Sequence, residues 1–187
     1  DILNRGKFDK TLQYIKEAVK VAPVFFTSGN HEYYSKQYNF IKDRLINAGA
    51  KVLDNRIEEI SINNKVLSVI GVRDASFFKN KEAFNNTITA LCDKAKGFRL
   101  MLTHKPHIID AYQNSGADLV LSGHAHGGQV RLPFVGGLYA PGQGIFPRYT
   151  SGLYRLKNGV STIVNRGLGD SQFPWRINNP PHVIVIT

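Results

Sequence analysis

Apolar and polar positions along this chain change period repeatedly. Over residues 7–21, Phe8, Leu12, Ile15 and Val19 recur at three- and four-residue steps, which predicts a helix with one buried face. Residues 36–48 repeat that spacing through Phe40, Ile41, Leu45 and Ala48, and Gly49 is a good helix stop. Residues 56–62 and 65–70 read as two strands joined by the two-residue turn Asn63-Asn64. Short apolar runs at 23–27, 98–103 and 118–121 read as buried strands, and helices are expected near 80–94 and 106–114. Strand-like runs at 153–156, 160–164 and 183–186 close the chain, with Asn158-Gly159 as a turn. Residues 133–150 form one long irregular stretch, rich in proline and glycine. No repeat or linker interrupts the pattern, so residues 1–187 read as a single α/β domain.

The chemistry gathers where the buried runs end. Ser122-Gly123-His124-Ala125-His126-Gly127-Gly128 directly follows one of them. Two histidines one residue apart in a glycine-rich turn can aim both imidazoles at one spot, and imidazole is the commonest protein metal ligand. The run at 23–27 leads into Ser28-Gly29-Asn30-His31-Glu32, and the run at 98–103 into His104-Lys105-Pro106. Each run is read as strand, polar loop, helix. In a parallel sheet such loops share one edge, where open α/β sheets bind ligands. Asn30, His31, His104, His124 and His126 are therefore expected to converge.

Composition narrows the class without naming a reaction. A chain of 187 residues that is 42% hydrophobic can fill one core. Cys92 is the only cysteine, which excludes an internal disulfide and a cysteine-based zinc site. No apolar run approaches the roughly 20 residues needed to span a bilayer, and there is no signal-peptide pattern. Lys and Arg number 24 against 14 Asp and Glu, a net charge of +10, which suits nucleic acid, anionic lipid, a polyanionic wall or phosphorylated substrates. The basic residues are scattered and no nucleic-acid-binding motif is present, so no specific nucleic-acid partner is expected.

Gly29-Asn30-His31-Glu32, then His104, then Gly123-His124-Ala125-His126, in that order, resemble the calcineurin-like metallophosphoesterase superfamily. The segments 102–106, 127–133 and 165–169 resemble a bacterial branch of it whose members are often membrane-anchored or exported. The resemblance implies a layered α-β-β-α sandwich and two divalent metal ions, Mn foremost, with Fe or Zn as alternatives. It implies hydrolysis of a phosphodiester, phosphomonoester or pyrophosphate by a metal-bridging hydroxide. It also implies a phosphorylated small-molecule or lipid-linked substrate, with peripheral membrane or cell-wall contact. Two ions roughly 3.5–4 Å apart suit this chemistry, since they activate water and neutralise phosphoryl oxygens.

Carried over position by position, the resemblance assigns one metal to Asp1, Asn30, His104 and His124. Asp1 and His126 go to the second metal, and His31 takes the catalytic acid or transition-state role. The family also opens with Asp-x-His on its first strand and Gly-Asp on its second. No Asp-x-His occurs in this sequence, and Asp1 would stand for the aspartate of Gly-Asp. Asp170 follows the histidine motif and does not take that topological place. The domain is therefore expected to be incomplete at its N-terminus, with a crippled second metal site and poor activity by itself. The parent protein is expected to be membrane-associated or to face outside the cytoplasm, and this fragment to be soluble.

Other readings of these residues stay open at this stage. Asn30 also suits a turn, and His104 before Pro106 also suits a helix start. Glu32 is either a ligand-orienting partner or ordinary helix-start chemistry. His107 and His182 read as structural or surface histidines. Tyr139, Phe146, Arg148, Tyr149 and the pair Arg73-Asp74 receive no substrate role. The rival function is a non-catalytic basic protein that holds nucleic acid or anionic lipid.

Overall fold

The computed structural model describes residues 8–169 and 175–187; Asp1 and Asp170 lie outside the described residues. The central element is a six-stranded sheet. Its strands are β3 (Arg56–Ile62), β4 (Lys65–Gly71), β5 (Phe98–Leu102), β6 (Leu119–Ser122), β11 (Gly152–Arg155) and β12 (Ser161–Val164), in the order β11-β12-β6-β5-β4-β3. The four inner strands run parallel, while β3 and β11 close the edges antiparallel. The β3–β4 hairpin has the expected two-residue turn, with Ile62 opposite Lys65. Both turn residues are left-handed, Asn63 at φ 50° and Asn64 at φ 62°, which matches the strand twist.

One residue row explains the core. Ile70, Met101 and Val120 are register partners across β4, β5 and β6, so all three point to one face. Helices α4 (Lys81–Lys94) and α5 (Ile109–Gln113) cover that face with Phe84, Ile88, Cys92 and Tyr112. Asn80 caps α4 by accepting a hydrogen bond from the Ala83 amide at 2.8 Å. Cys92 is part of this core, and burial pushes its thiol up to about 11, which leaves it unreactive.

A second core joins α1 (Phe8–Ala18) and α3 (Tyr38–Asn47) to the short parallel pair β1 (Phe25–Phe26) and β2 (Lys51–Val52), through Leu12, Ile15, Ile41 and Leu45. The two parts are stitched together where the chain leaves β1. Thr27 Oγ1 donates to the Val72 carbonyl at 2.6 Å, and the Arg73 amide donates to Asn55 Oδ1 at 3.0 Å. Gly71 lets Leu53 cross directly over β4, for a Cβ there would fall 2.5 Å from the Leu53 carbonyl oxygen. The mixed α/β class is as expected, with helices packed on both sheets.

Several expectations need correction. β1 is shorter than 23–27 and pairs with β2 instead of joining the six-stranded sheet. No helix follows β6; a 3₁₀ turn over His126–Gly128 stands there, because left-handed residues end any helical run. Phe40 is exposed, since α3 turns Tyr38, Ile41 and Leu45 inward. Residues 183–186 form no strand among the described residues, and Val183, Val185 and Ile186 are exposed. Pro180 and Pro181 just before them remove two ladder donors. Residues 131–145 are more ordered than expected, with two tiny antiparallel pairs. These are β7 (Arg131–Leu132) with β8 (Gly136–Gly137) and β9 (Tyr139–Ala140) with β10 (Gly144–Ile145).

Candidate metal centre

Three chain segments meet above the ends of β1, β5 and β6. α2 (Asn30–Tyr34) begins directly after β1, with Gly29 as its cap residue. Glu32 is fully buried and its Oε2 accepts from the Gly29 amide at 2.6 Å, so it performs helix-start chemistry. That bond pins the turn presenting Asn30 and His31. His104 follows β5 and is cross-linked to the next loop by the Gly123 amide, which donates to the His104 carbonyl at 3.1 Å.

Asn30, His104 and His124 come into direct contact. Nε2 of His104 lies 2.7 Å from Asn30 Oδ1 and 2.9 Å from Nδ1 of His124, and the two rings meet edge-on at 4.6 Å. His104 therefore does not cap the following helix; its ring turns towards Asn30 and His124. Burial above all, with Lys105 adding least, holds the His104 imidazole well below the usual histidine range, against the pull of Asp74 and Glu32. Burial and the neighbouring His104 push His124 down to about 3. Both rings are neutral at pH 7, so their nitrogen lone pairs are available.

This donor set fits a divalent cation. Donor atoms bound to one metal at about 2.0–2.1 Å stand roughly 3 Å apart, close to the observed 2.7 and 2.9 Å. Among the described residues no three His, Cys, Asp or Glu side chains gather into a ready-made cluster, because the third donor here is an amide. Asp1, the expected carboxylate, lies outside the described residues.

His126 is not in contact with that trio. Its Nδ1 is buried without a hydrogen-bond partner among the described residues. Burial, then Arg176 and more weakly His31, push it down to about 4. The backbone delivering both histidines is wound left-handed, with φ of 60° at His124, 46° at His126 and 62° at Gln129. Such a run is costly, and it is held from outside. Asn179, 2% exposed, donates from Nδ2 to the His126 carbonyl at 2.6 Å and to the Gln129 carbonyl at 3.1 Å. Gly128 is needed for a close backbone crossing, since a Cβ there would lie 2.4 Å from Gly137 Cα.

Asp74 and Lys105 form an ion pair whose charges both act on His104. Lys105 Nζ lies 3.2 Å from Asp74 Oδ1 and donates to Ser76 Oγ at 3.0 Å. Burial alone would raise the Asp74 carboxyl, but Ser76, His104 and Lys105 outweigh it and hold the group below its usual range. Arg73 lies over the Phe77 ring at 3.9 Å, a packing role. His107, read as structural from the sequence, reaches the site's edge with its ring 6.1 Å from that of His124. It also lines a cavity of about 420 Å³ with Phe78, Phe84 and Ile109. The sequence pattern gave no sign of Asn179, which sits far along the chain from the motif it serves, nor that Asp74 pairs with Lys105.

The model of the family described as calcineurin-like phosphoesterase matches residues 1–128. The chain belongs to that family. It is 35% identical to an uncharacterized metallophosphoesterase of Aquifex aeolicus across 98% of this chain, and 31% identical to the phosphodiesterase YaeI of Escherichia coli across 98% of it. It spans 67% and 64% of those relatives' own lengths. A putative 5'-nucleotidase from Staphylococcus aureus shares the fold at a TM-score of 0.53 and 15% identity, over 89% of this chain and 38% of that one.

Proposed function

We propose that this chain is the catalytic part of a metal-dependent phosphoester hydrolase. One observation carries the reading: neutral His104 and His124 and the Asn30 amide oxygen meet within 2.9 Å although they come from three separate loops. Asn30, His104 and His124, with Asp1, would hold one divalent cation, and His126, with Asp1, a second. Bound there, such cations supply a Lewis acid and an activated water at neutral pH. Mn is the leading candidate; the oxygen and imidazole donors also suit Fe or Zn.

The chain's own residues do the rest. The Lys105–Asp74 pair and the buried Glu32 fix the ground on which His104 and Asn30 stand. His31, next to Asn30 on α2, gives a proton to the leaving oxygen as the phosphorus–oxygen bond breaks. Water contributes the new phosphorus–oxygen bond, so a diester yields a monoester and an alcohol. The substrate is read as a phosphodiester or lipid-linked phosphate.

The test is Mn titration followed calorimetrically, with hydrolysis of bis(p-nitrophenyl) phosphate in the same samples. Mn binding and chelator-sensitive turnover are expected, with binding weakened in His124→Ala and turnover lowered in His31→Ala at unchanged Mn affinity. Turnover that survives chelator, or Mn binding indifferent to His124→Ala, refutes the reading.

A further inference from the structure

Six exposed apolar side chains cluster on the excursion of residues 131–146. The β7–β8 hairpin puts Phe134 (109% exposed) and Val135 at its tip, beside Leu132. The adjoining β9–β10 hairpin sets Tyr139 opposite Ile145 (69% exposed), followed by Phe146 (61% exposed). The two hairpins are joined by the Leu138 amide donating to the Val130 carbonyl at 2.8 Å and the Phe146 amide to the Leu138 carbonyl at 2.9 Å. Single exposed apolar residues are ordinary, but six on one excursion mark an interaction surface.

Charge selects the partner. Residues 119–169 contain no Asp or Glu, while Arg131 and Arg148 flank the two hairpins in sequence. Arg131 is tied to the Gly127 carbonyl at 2.9 Å; Arg148, two residues after Phe146, is exposed. A second copy of this chain would bring the same positive charge to a symmetric interface, on a protein of net charge +10. An anionic bilayer instead receives apolar side chains at the acyl boundary and cations at the headgroups.

We propose that the two hairpins of residues 131–146 are a docking element for an anionic lipid surface, with Phe134, Val135, Ile145 and Phe146 entering the interface. The element is wired to the candidate site. The Leu138 amide donates to the Gly128 carbonyl at 3.1 Å, and Gly137 packs on Gly128, two residues from His126. Docking therefore holds the metal-binding turn at the bilayer, where lipid-linked phosphate lies. The inference deepens the hydrolase reading by naming the surface on which it works, and the lipid contact itself is measurable without turnover.

The test is co-sedimentation of the protein with phosphatidylcholine vesicles, with and without phosphatidylglycerol, in chelator so that no cation bridges protein to lipid. The variant Phe134→Ser/Val135→Ser changes two exposed tips and keeps the fold. Expected is partition onto phosphatidylglycerol vesicles only, weakened by salt and reduced about tenfold or more in the variant. Absence of partition overturns the proposal, as does a variant that partitions like the wild type, which would reduce the effect to bulk charge. A concentration-dependent dimer in light scattering that the variant abolishes also overturns it, by assigning the face to a second copy. Hydrolysis of bis(p-nitrophenyl) phosphate in vesicle-free samples is read separately: its absence sinks the hydrolase reading and leaves the lipid result standing.

Discussion

Asn179→Ala removes a side chain that clamps the His126 turn at two carbonyls. Two carbonyls, those of His126 and Gln129, lose the Nδ2 donor that reaches them at 2.6 and 3.1 Å. Asn179 is 2% exposed, so water replaces that donor poorly. Each keeps a longer backbone partner, the Gln129 amide at 3.2 Å from the His126 carbonyl and the Ile177 amide at 3.4 Å from the Gln129 carbonyl, so each lost bond costs about 0.5–1.5 kcal/mol. The expected loss for the two bonds is about 1–3 kcal/mol, or roughly 2–12 °C in melting temperature for a chain of this size. Relaxation has its own consequence. His126 sits at φ 46° and Gly127 at φ 66°, a left-handed conformation that only its surroundings maintain. Release of the clamp lets His126 swing away, and a lost orienting partner typically costs about 10–100-fold in metal affinity.

Asn179→Asp sharpens the test, because it keeps the shape while it removes the donor and adds a negative charge. A carboxylate facing two carbonyl oxygens is repelled, so Asp is expected to be worse than Ala. The assays are chemical denaturation in chelator and calorimetric Mn titration of the wild type and both variants. Stability within about 0.5 kcal/mol of wild type in Asn179→Ala, together with unchanged Mn affinity, would refute the clamp; so would an Asp variant as stable as the Asn.

Four further outcomes are expected. His31→Ala, at unchanged Mn affinity, lowers kcat for bis(p-nitrophenyl) phosphate by about 10²-fold or more, with little change in KM. Lys105→Met leaves the buried Asp74 carboxylate without its cation and destabilises the fold by about 1–3 kcal/mol in urea melts; adding Asp74→Asn to that variant recovers part of the loss. Gly128→Ala forces a Cβ within 2.4 Å of Gly137 Cα at φ +82°, and a drop of more than about 2 kcal/mol is expected by the same melts. In chelator, stability falls as pH drops below about 6.5, because the unfolded chain takes up protons that folded His124 and His126 refuse until about 3 and about 4. The slope is at most about 1.4 kcal/mol per pH unit for each histidine, and replacing His124 with Gln should flatten it.

Local signals carried much of the fold. The β3–β4 hairpin was legible because two asparagines between alternating strands suit a left-handed turn, and the helix expected near 80–94 stands as α4, where Asn80 supplies the cap. What failed was anything decided by distant partners. Val183, Val185 and Ile186 have strand composition, but a strand exists only where an edge accepts it, and Pro180-Pro181 spoil the approach. β1 looked like a member of the main sheet because apolar content does not say which neighbour a strand pairs with. Phe40 was placed inside because periodicity fixes a helix's faces only to within about one residue, and Tyr38 took the inward position.

The candidate site divides along the same line. Asn30, His104 and His124 were legible because strand ends aim loop residues into a shared crevice, and the structure brings those three donor atoms together even though β1 lies outside the main sheet. What holds them was not legible. Asn179 lies 53 residues beyond the carbonyl it clamps, and the Asp74 amide meets Ser28 Oγ at 3.4 Å across 46 residues. A ligand motif is short because a cation needs a few donor types at one point. Its support is dispersed because any buried donor that reaches the turn will serve, whatever its place in the chain. The left-handed run at 124–129 is the local sign that such support must exist: backbone strained at His124, His126 and Gln129 persists only where other parts of the chain outweigh its cost.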